Sequence, residues 1–273
     1  MRYKVTTRAA GRTPPRSAIP ASVGRANRHD RAAQRIGVAL SLAAIATMAC
    51  ARAGNRQRPL PGKVGLRSLQ AVYGEALYSQ DDEETLIRAF FADRRGGFFL
   101  DVGAGDPIQD STTYFLEKHL GWHGIAVDAN ADHAGDYRLK RPATRFFAYY
   151  AGEKSNLQRG FFVSEDWRFS SGSGTDPRGG QYRKRTVATI ALDDLLEREK
   201  VAAIDLLSMD IEGAEPEALR GFDLTRYRPE LAVIEIGSPA VGQAVAEQFA
   251  LANCREVVAY RAVDAINRYY TCR

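Results

Sequence analysis

The residues Phe98-Phe99-Leu100-Asp101-Val102-Gly103-Ala104-Gly105-Asp106 carry an apolar run into a glycine turn, and Val127-Asp128 ends the next apolar run. That pairing has the chemistry of a nucleoside-cofactor pocket. Gly103 and Gly105 lack Cβ, so the chain can turn with positive φ and let a ligand lie directly against backbone at the carboxyl end of a strand. A carboxylate ending the following strand, Asp128, can accept both hydroxyls of a ribose. A dinucleotide fingerprint needs a third glycine at position 108, and Ile108 stands there. S-adenosylmethionine has no phosphate and fits this turn better than NAD. Taken alone, the two glycines also suit an ordinary strand-to-turn junction; the second acid favours the cofactor.

A second cluster, Leu207-Ser208-Met209-Asp210-Ile211-Glu212-Gly213-Ala214-Glu215, sets three acids at the end of a buried strand and the start of a helix. In an open α/β sheet ligands bind at that edge, where the strand order reverses. Asp210 and Glu212 are therefore expected to face the pocket of Gly103 and Asp128. Crowded like charges and partial burial both raise a carboxyl pKa, which suits a proton acceptor. The alternative for both is helix capping and loop hydrogen bonding without chemistry. Glu215 reads as a complement to the helix dipole, and Glu235, at the end of the fifth strand, is the next candidate base. His119 and His123 flank Gly121-Trp122 and read as surface or packing residues.

The elements that must position these groups alternate as βαβ units, which implies an α/β fold on a mostly parallel sheet. Residues 68–95 have helical spacing, with acidic Asp81 to Glu84 at a helix N-terminus. Strands are expected at Phe98–Val102, Gly124–Asp128, Arg145–Tyr150, Ala203–Met209 and Leu231–Ile236. Helices are expected from about Ser111 to His119, at Asp132–Leu139, at Leu192–Glu199, from Ala214 and at Ala240–Leu251. Gly160–Val163 and Arg185–Ile190 form an added hairpin or edge strands around a Ser/Gly loop at residues 170–180, which is either a plain connection or a lid. Arg255–Tyr260 and Asn267–Thr271 are expected to close the sheet as an antiparallel pair.

Charge divides the 273 residues near position 60. Twelve of the 38 Lys and Arg but only one of the 33 acids, Asp30, fall in residues 1–60, so this leader carries +11 and residues 61–273 carry −6. An enzyme acting on nucleic acid should concentrate cations around its cleft, so nucleic acid is not expected as a partner. Residues 36–49 form an apolar run too short to span a bilayer, which takes about 20 residues. The leader resembles a signal peptide, with Ala49-Cys50-Ala51 as a cleavage site, or an organelle transit peptide, or a tail from an upstream start codon. Membrane contact is expected only through this segment. Dependence on S-adenosylmethionine favours the cytoplasm or an organelle interior. Cys50, Cys254 and Cys272 are too few for a disulfide framework or a zinc site. Cys254 and Cys272 are expected as core thiols, pairing only if adjacent strands hold them in an oxidising compartment.

The chain resembles the FkbM family of S-adenosylmethionine-dependent methyltransferases. The motifs that carry the likeness are Tyr78-Ser79-Gln80, residues 101–108, Ser111 to Thr113, Gly121-Trp122-His123-Gly124-Ile125, Leu192-Asp193-Asp194, residues 207–215 and Tyr227-Arg228-Pro229, in order over about residues 75–272. The resemblance implies a class I methyltransferase Rossmann-like fold: a seven-stranded, mostly parallel sheet with an antiparallel last strand and helices on both faces. It implies methylation, commonly O-methylation, of a small hydroxylated acceptor such as a sugar or natural product. It assigns Asp101, Gly103, Ala104 and Gly105 to the turn holding the methionine part of the cofactor, and Asp128 to the ribose. It places the adenine-edge contact within Tyr149 to Glu153. Gly105 replaces a common Asn, and Asp128 is one methylene shorter than the common Glu.

Methyl transfer from a sulfonium is an in-line displacement driven mostly by alignment, so no metal is expected. A carboxylate within reach takes the acceptor's proton, and Asp210 and Glu212 are the first choices. The rival readings are a catalytically inactive Rossmann-like binding protein and a nicotinamide-dependent oxidoreductase. Trp167 and Phe169 are candidates for stacking on a sugar ring.

Overall fold

The computed structural model of the chain describes residues 65–164, 170–172 and 182–273. Met1–Pro59 and Leu60–Arg273 are separate units, and every described residue falls in the second. The basic leader with its apolar run and its cleavage readings, Trp167 and Phe169, and positions 173–180 of the Ser/Gly loop lie outside the described residues. Among the described residues no helix is long and apolar enough to cross a membrane.

In chain order the elements are α1 (Leu66–Tyr73), α2 (Glu83–Phe91), β1 (Phe98–Val102), α3 (Tyr114–Leu120), β2 (His123–Asp128), α4 (Ala134–Lys140), β3 (Thr144–Ala148), β4 (Tyr150–Ala151), β5 (Gln158–Ser164), β6 (Tyr182–Ile190), α5 (Leu192–Arg198), β7 (Leu206–Met209), α6 (Glu215–Arg220), α7 (Leu224–Tyr227), β8 (Leu231–Glu235), α8 (Pro239–Leu251), β9 (Arg255–Glu256) and β10 (Asn267–Thr271). Seven strands form one sheet in the order β3-β2-β1-β7-β8-β10-β9. β1, β2, β3, β7 and β8 pair in parallel, and β10 runs antiparallel to both β8 and β9. This is the seven-stranded, mostly parallel sheet that the resemblance implies.

Alternation along β1 shows why the sheet must be covered on both sides. Leu100 and Val102 join a cluster with Leu192, Leu195 and Leu196 of α5, Leu219 of α6 and Phe249 of α8. Phe99, on the other face, joins Leu86 and Ile87 of α2, Leu116 of α3 and Trp122. Strands apolar on both faces belong in the middle of a sheet flanked by helices. The residues near 160 and 185 form the antiparallel hairpin β5–β6, and β4 adds to β6 as a second, three-stranded sheet.

Several boundaries differ from the sequence expectation: the helix expected from about Ser111 is Tyr114–Leu120, the strand expected at Arg145–Tyr150 is divided between β3 and β4, and three further differences have a visible cause. The helical stretch 68–95 is two helices, because Gly74 leaves helical geometry at φ +80° and the acids at 81–84 begin a new one. The strand expected from Ala203 starts at Leu206. Just before it, the Asp205 carboxylate accepts the amide of Phe98 at 2.8 Å and pairs with Arg94 at 3.2 Å. The strand expected at Arg255–Tyr260 is only Arg255–Glu256. The chain then turns through a short 3-10 helix that buries Tyr260 edge-on against Tyr269, with ring centroids 5.1 Å apart.

Cys254 and Cys272 are not free thiols; they form a disulfide. The register explains it. Thr271 lies opposite Arg255 and Tyr270 opposite Glu256, so the next antiparallel step sets Cys272 against Cys254, with Cα atoms 4.2 Å apart. The bond closes a loop with a sequence separation of 18, so the chain-entropy model gives it about 3 kcal/mol of stability. Cys272→Ser should therefore lower the urea-unfolding free energy of the oxidised protein by about 3 kcal/mol. Dithiothreitol should weaken the parent protein and leave the variant unchanged.

Candidate active site

The parallel strands end level with one another. Val102 is in register with Val127 on one side and Met209 on the other, and Met209 with Ile234. All four sit in one apolar cluster. The next residue of each strand, Gly103, Asp128, Asp210 and Glu235, therefore reaches the carboxyl edge of the sheet together. The strand order reverses at β1, which is where open α/β sheets bind ligands. A cavity of about 380 Å³ occupies this edge, within the usual range for small-molecule sites of about 300–1,000 Å³. Gly103, Ala104, Gly105 and Asp128 line one side of it, and Asp210, Glu212 and Glu235 the other.

The two sides meet where only glycine fits. Gly103 has φ +82°, and a Cβ there would stand 1.6 Å from the backbone oxygen of Asp210. Two hydrogen bonds fix this approach: the Gly103 amide donates to Val127 O at 2.8 Å, and the Asp210 amide to Val102 O at 2.9 Å. Gly105 turns the chain again at φ +53°, and its amide donates to Asp128 Oδ2 at 2.9 Å. Asp128 Oδ1 accepts the amide of Asn130 at 2.6 Å. Burial raises this carboxyl above its ordinary pKa, and the two amides oppose the rise. Each oxygen has a second lone pair, so Asp128 can hold the glycine turn and still accept a ligand hydroxyl.

Asp101 is placed differently from the other residues assigned to the turn. It is buried on the far face of β1 and is not part of the cavity wall. Its Oδ2 accepts the Thr113 hydroxyl at 2.6 Å. Burial raises its pKa, while Thr113 and the charge of Arg141 oppose the rise. Arg141 is wholly buried; it donates to Thr113 Oγ1 (3.0 Å), Ser111 Oγ (3.2 Å) and Pro107 O (3.0 Å), and pairs with Glu117. Asp101 thus belongs to a compensated network that supports the loop from beneath.

The acids on the other side have no such compensation. Burial pushes the Asp210 carboxyl well above its ordinary range, Glu235 beside it adds to the rise, and Glu212 and Glu215 add further. Asp210 opens to the cavity but is walled by protein atoms, which is how it can be both accessible and poorly solvated. Glu212 is exposed, sits in left-handed backbone at φ +57°, and is pushed up to about 7 by burial, Glu235 and Glu215. Glu215 does more than complement a helix dipole. It is completely buried, and its Oε1 accepts the amides of Ile211 (3.0 Å) and Gly213 (3.1 Å), closing the loop between β7 and α6.

His119 and His123 stay outside the cavity. His119 Nε2 meets the Tyr78 hydroxyl at 3.3 Å, and His123 packs edge-on against Phe98. The cavity also includes Phe161 of β5 and three residues that the sequence did not single out as site residues, His133, Asn130 and Gln80. Asn130 lies two residues past Asp128, so continuing along the loop after β2 would have found it and His133. Gln80 comes from the loop before α2, which a bridge between Ser79 and Asp110 brings to the site. Tyr149, Tyr150 and Ala151, within the stretch that the resemblance assigns to the adenine edge, line the cavity as well.

The FkbM methyltransferase domain family matches residues 101–261, more than half of the chain. No curated protein matches it. Among solved structures, a TehB-like SAM-dependent methyltransferase from Corynebacterium glutamicum is 17% identical with a TM-score of 0.35, over 67% of this chain and 77% of its own. A precorrin 8w decarboxylase from Methanobacterium thermoautotrophicum is 13% identical with a TM-score of 0.39, over 79% and 95%. An O-methyltransferase from Bacillus cereus, crystallised with SAH, is 15% identical with a TM-score of 0.36, over 85% and 86%.

The contact between Gly103 and Asp210 can be separated from backbone strain by comparing two glycines. Gly213 also has positive φ, at +93°, but a Cβ there meets nothing within 4 Å. Gly213→Ala should lower stability by about 1–2 kcal/mol through the left-handed conformation alone. Gly103→Ala adds an overlap between two backbones that no rotamer relieves, and should lower stability by a further 1–3 kcal/mol or so. Urea denaturation of both variants measures the difference, and equal losses would contradict the contact.

Proposed function

Because the chain belongs to the FkbM methyltransferase family, we propose that it transfers a methyl group from S-adenosylmethionine to a hydroxyl oxygen of a small acceptor, such as a sugar or natural product. The observation that carries this reading is that Gly103, Gly105 and Asp128 share one cavity with Asp210, Glu212 and Glu235.

The residues present suit this cofactor. The backbone at Gly103 to Gly105 has no side chain to hold a ligand away, and each Asp128 oxygen keeps a lone pair for a ribose hydroxyl. Tyr149 and Tyr150 offer aromatic surface at the end of β3 for a base. Five acids on the wall, Asp110, Asp128, Asp210, Glu212 and Glu235, attract a sulfonium and an ammonium group and repel a pyrophosphate, which argues against a nicotinamide dinucleotide as Ile108 does.

When bound, S-adenosylmethionine supplies an electrophilic methyl carbon, whose transfer leaves the C–S electron pair on sulfur as the neutral thioether S-adenosylhomocysteine. The protein's part is alignment: the glycine turn and Asp128 fix one partner while the β7–β8 side holds the other, which turns a bimolecular encounter into an intramolecular one. The hydroxyl loses its proton as the new C–O bond forms. Glu212, exposed at the cavity with Asp210 beside it, is placed to accept that proton.

Isothermal titration checks the cofactor half. S-adenosylmethionine and S-adenosylhomocysteine should bind and NAD should not. Asp128→Ala should weaken S-adenosylmethionine by about 2 kcal/mol, roughly 30-fold, through the lost charged hydrogen bonds. Unchanged affinity would mean that the ribose lies elsewhere. Release of S-adenosylhomocysteine against a panel of hydroxylated and amino acceptors identifies the second substrate, and binding without release for every acceptor would favour an inactive binding protein.

A further inference from the structure

Asp210, Glu215 and Glu235 bring one carboxylate oxygen each to within 4.8 Å of one another. They come from the end of β7, the first turn of α6 and the end of β8, so three separate elements converge on one point. Glu215 supplies an independent sign that something belongs there. Its side chain is completely buried, Oε1 is pinned by the amides of Ile211 and Gly213, and Oε2 has no hydrogen-bond partner. A buried carboxylate oxygen without a donor is unfavourable and calls for a missing partner. The charged groups acting most strongly on Asp210 are Glu235, Glu212 and Glu215.

We propose that Asp210, Glu215 and Glu235 hold a hard divalent cation, magnesium or calcium, on the acceptor side of the cavity. Carboxylate oxygens are the ligands that both ions prefer. Oxygens on opposite sides of an ion are separated by twice the metal–oxygen distance. That distance is about 2.3–2.6 Å for calcium and about 2.0–2.1 Å for magnesium, so three oxygens lying within 4.8 Å of one another fall inside the reach of a calcium coordination sphere. The pinned Oε1 fixes the direction of Oε2, which makes Glu215 a preorganised ligand, while Asp210 and Glu235 open the ion to the cavity. Three carboxylates leave further positions free. That an acceptor hydroxyl would occupy one of them, polarised and oriented there, rests on the methyltransferase reading. Asp210 would then be an ion ligand, and Glu212 would remain to take the proton.

Calorimetric titration of the chelator-treated full chain with calcium chloride and then magnesium chloride, with no S-adenosylmethionine present, tests the site. One cation per chain should bind, and the thermal midpoint should rise with cation concentration. Glu215→Gln keeps an oxygen for the two amides but loses the charge, and should weaken binding by about tenfold or more. Glu235→Gln should do the same at the cavity side and serves if the Glu215 variant does not fold. Glu247→Gln, on the exposed face of α8, should bind as the parent does. Absence of saturable binding to the parent protein, or an affinity in both glutamine variants equal to the parent's, would overturn the site. A chain that binds the cation but not S-adenosylmethionine would contradict the methyltransferase reading alone, and the converse would contradict the cation site alone.

Discussion

The structure depends on one close approach. At Gly103 the chain leaves β1 and runs against the carbonyl of Asp210, so near that a single added carbon would stand 1.6 Å from the oxygen. β1 and β7 are neighbours paired in parallel, but pairing alone does not bring the loops beyond them together. The missing side chain does. It lets the turn that can hold a cofactor and the loop that carries Asp210 and Glu212 enclose one space rather than two.

Around that contact the fold treats charge in two ways. Beneath the glycine turn, Asp101, Thr113, Arg141 and Glu117 form a buried network whose charges are paired and hydrogen-bonded, so burial there stiffens the loop. Removing one partner of such a network costs about 3–5 kcal/mol, because the other charge stays behind unpaired. On the cavity side, Asp210, Glu212, Glu215 and Glu235 are crowded with like charges. The first arrangement builds a scaffold. The second stores unfavourable energy that a cationic ligand or a proton would relieve, and a site for transferring a positively charged methyl donor's group has a use for that.

Much of this was legible in the sequence. Apolar runs placed β1, β2 and β8 nearly to the residue, because a strand buried on both faces has little freedom in composition. Glycines followed by an acid marked one side of the cavity, and the acids after Met209 marked the other. Three things were not legible. Asp101 sits inside the most glycine-rich motif but is not part of the cavity wall, because side chains alternate along a strand and Asp101 takes the face opposite Val102, which does line the cavity. The Cys254–Cys272 bond depends on the β9–β10 register, which an edge strand as short as β9 does not announce. The partnerless oxygen of Glu215 depends on a loop closing over it, and periodicity carries no information about which oxygen of a carboxylate a backbone amide will take.

A crystal structure of the full chain with S-adenosylhomocysteine tests the central claim most directly. The account predicts the nucleoside in the cavity at the ends of β1 and β2, with both ribose hydroxyls on the Asp128 carboxylate. It also predicts the sulfur beside Gly103, on a line toward Asp210 and Glu212. A ligand bound elsewhere, with Asp128 contacting only the amides of Gly105 and Asn130, would contradict it.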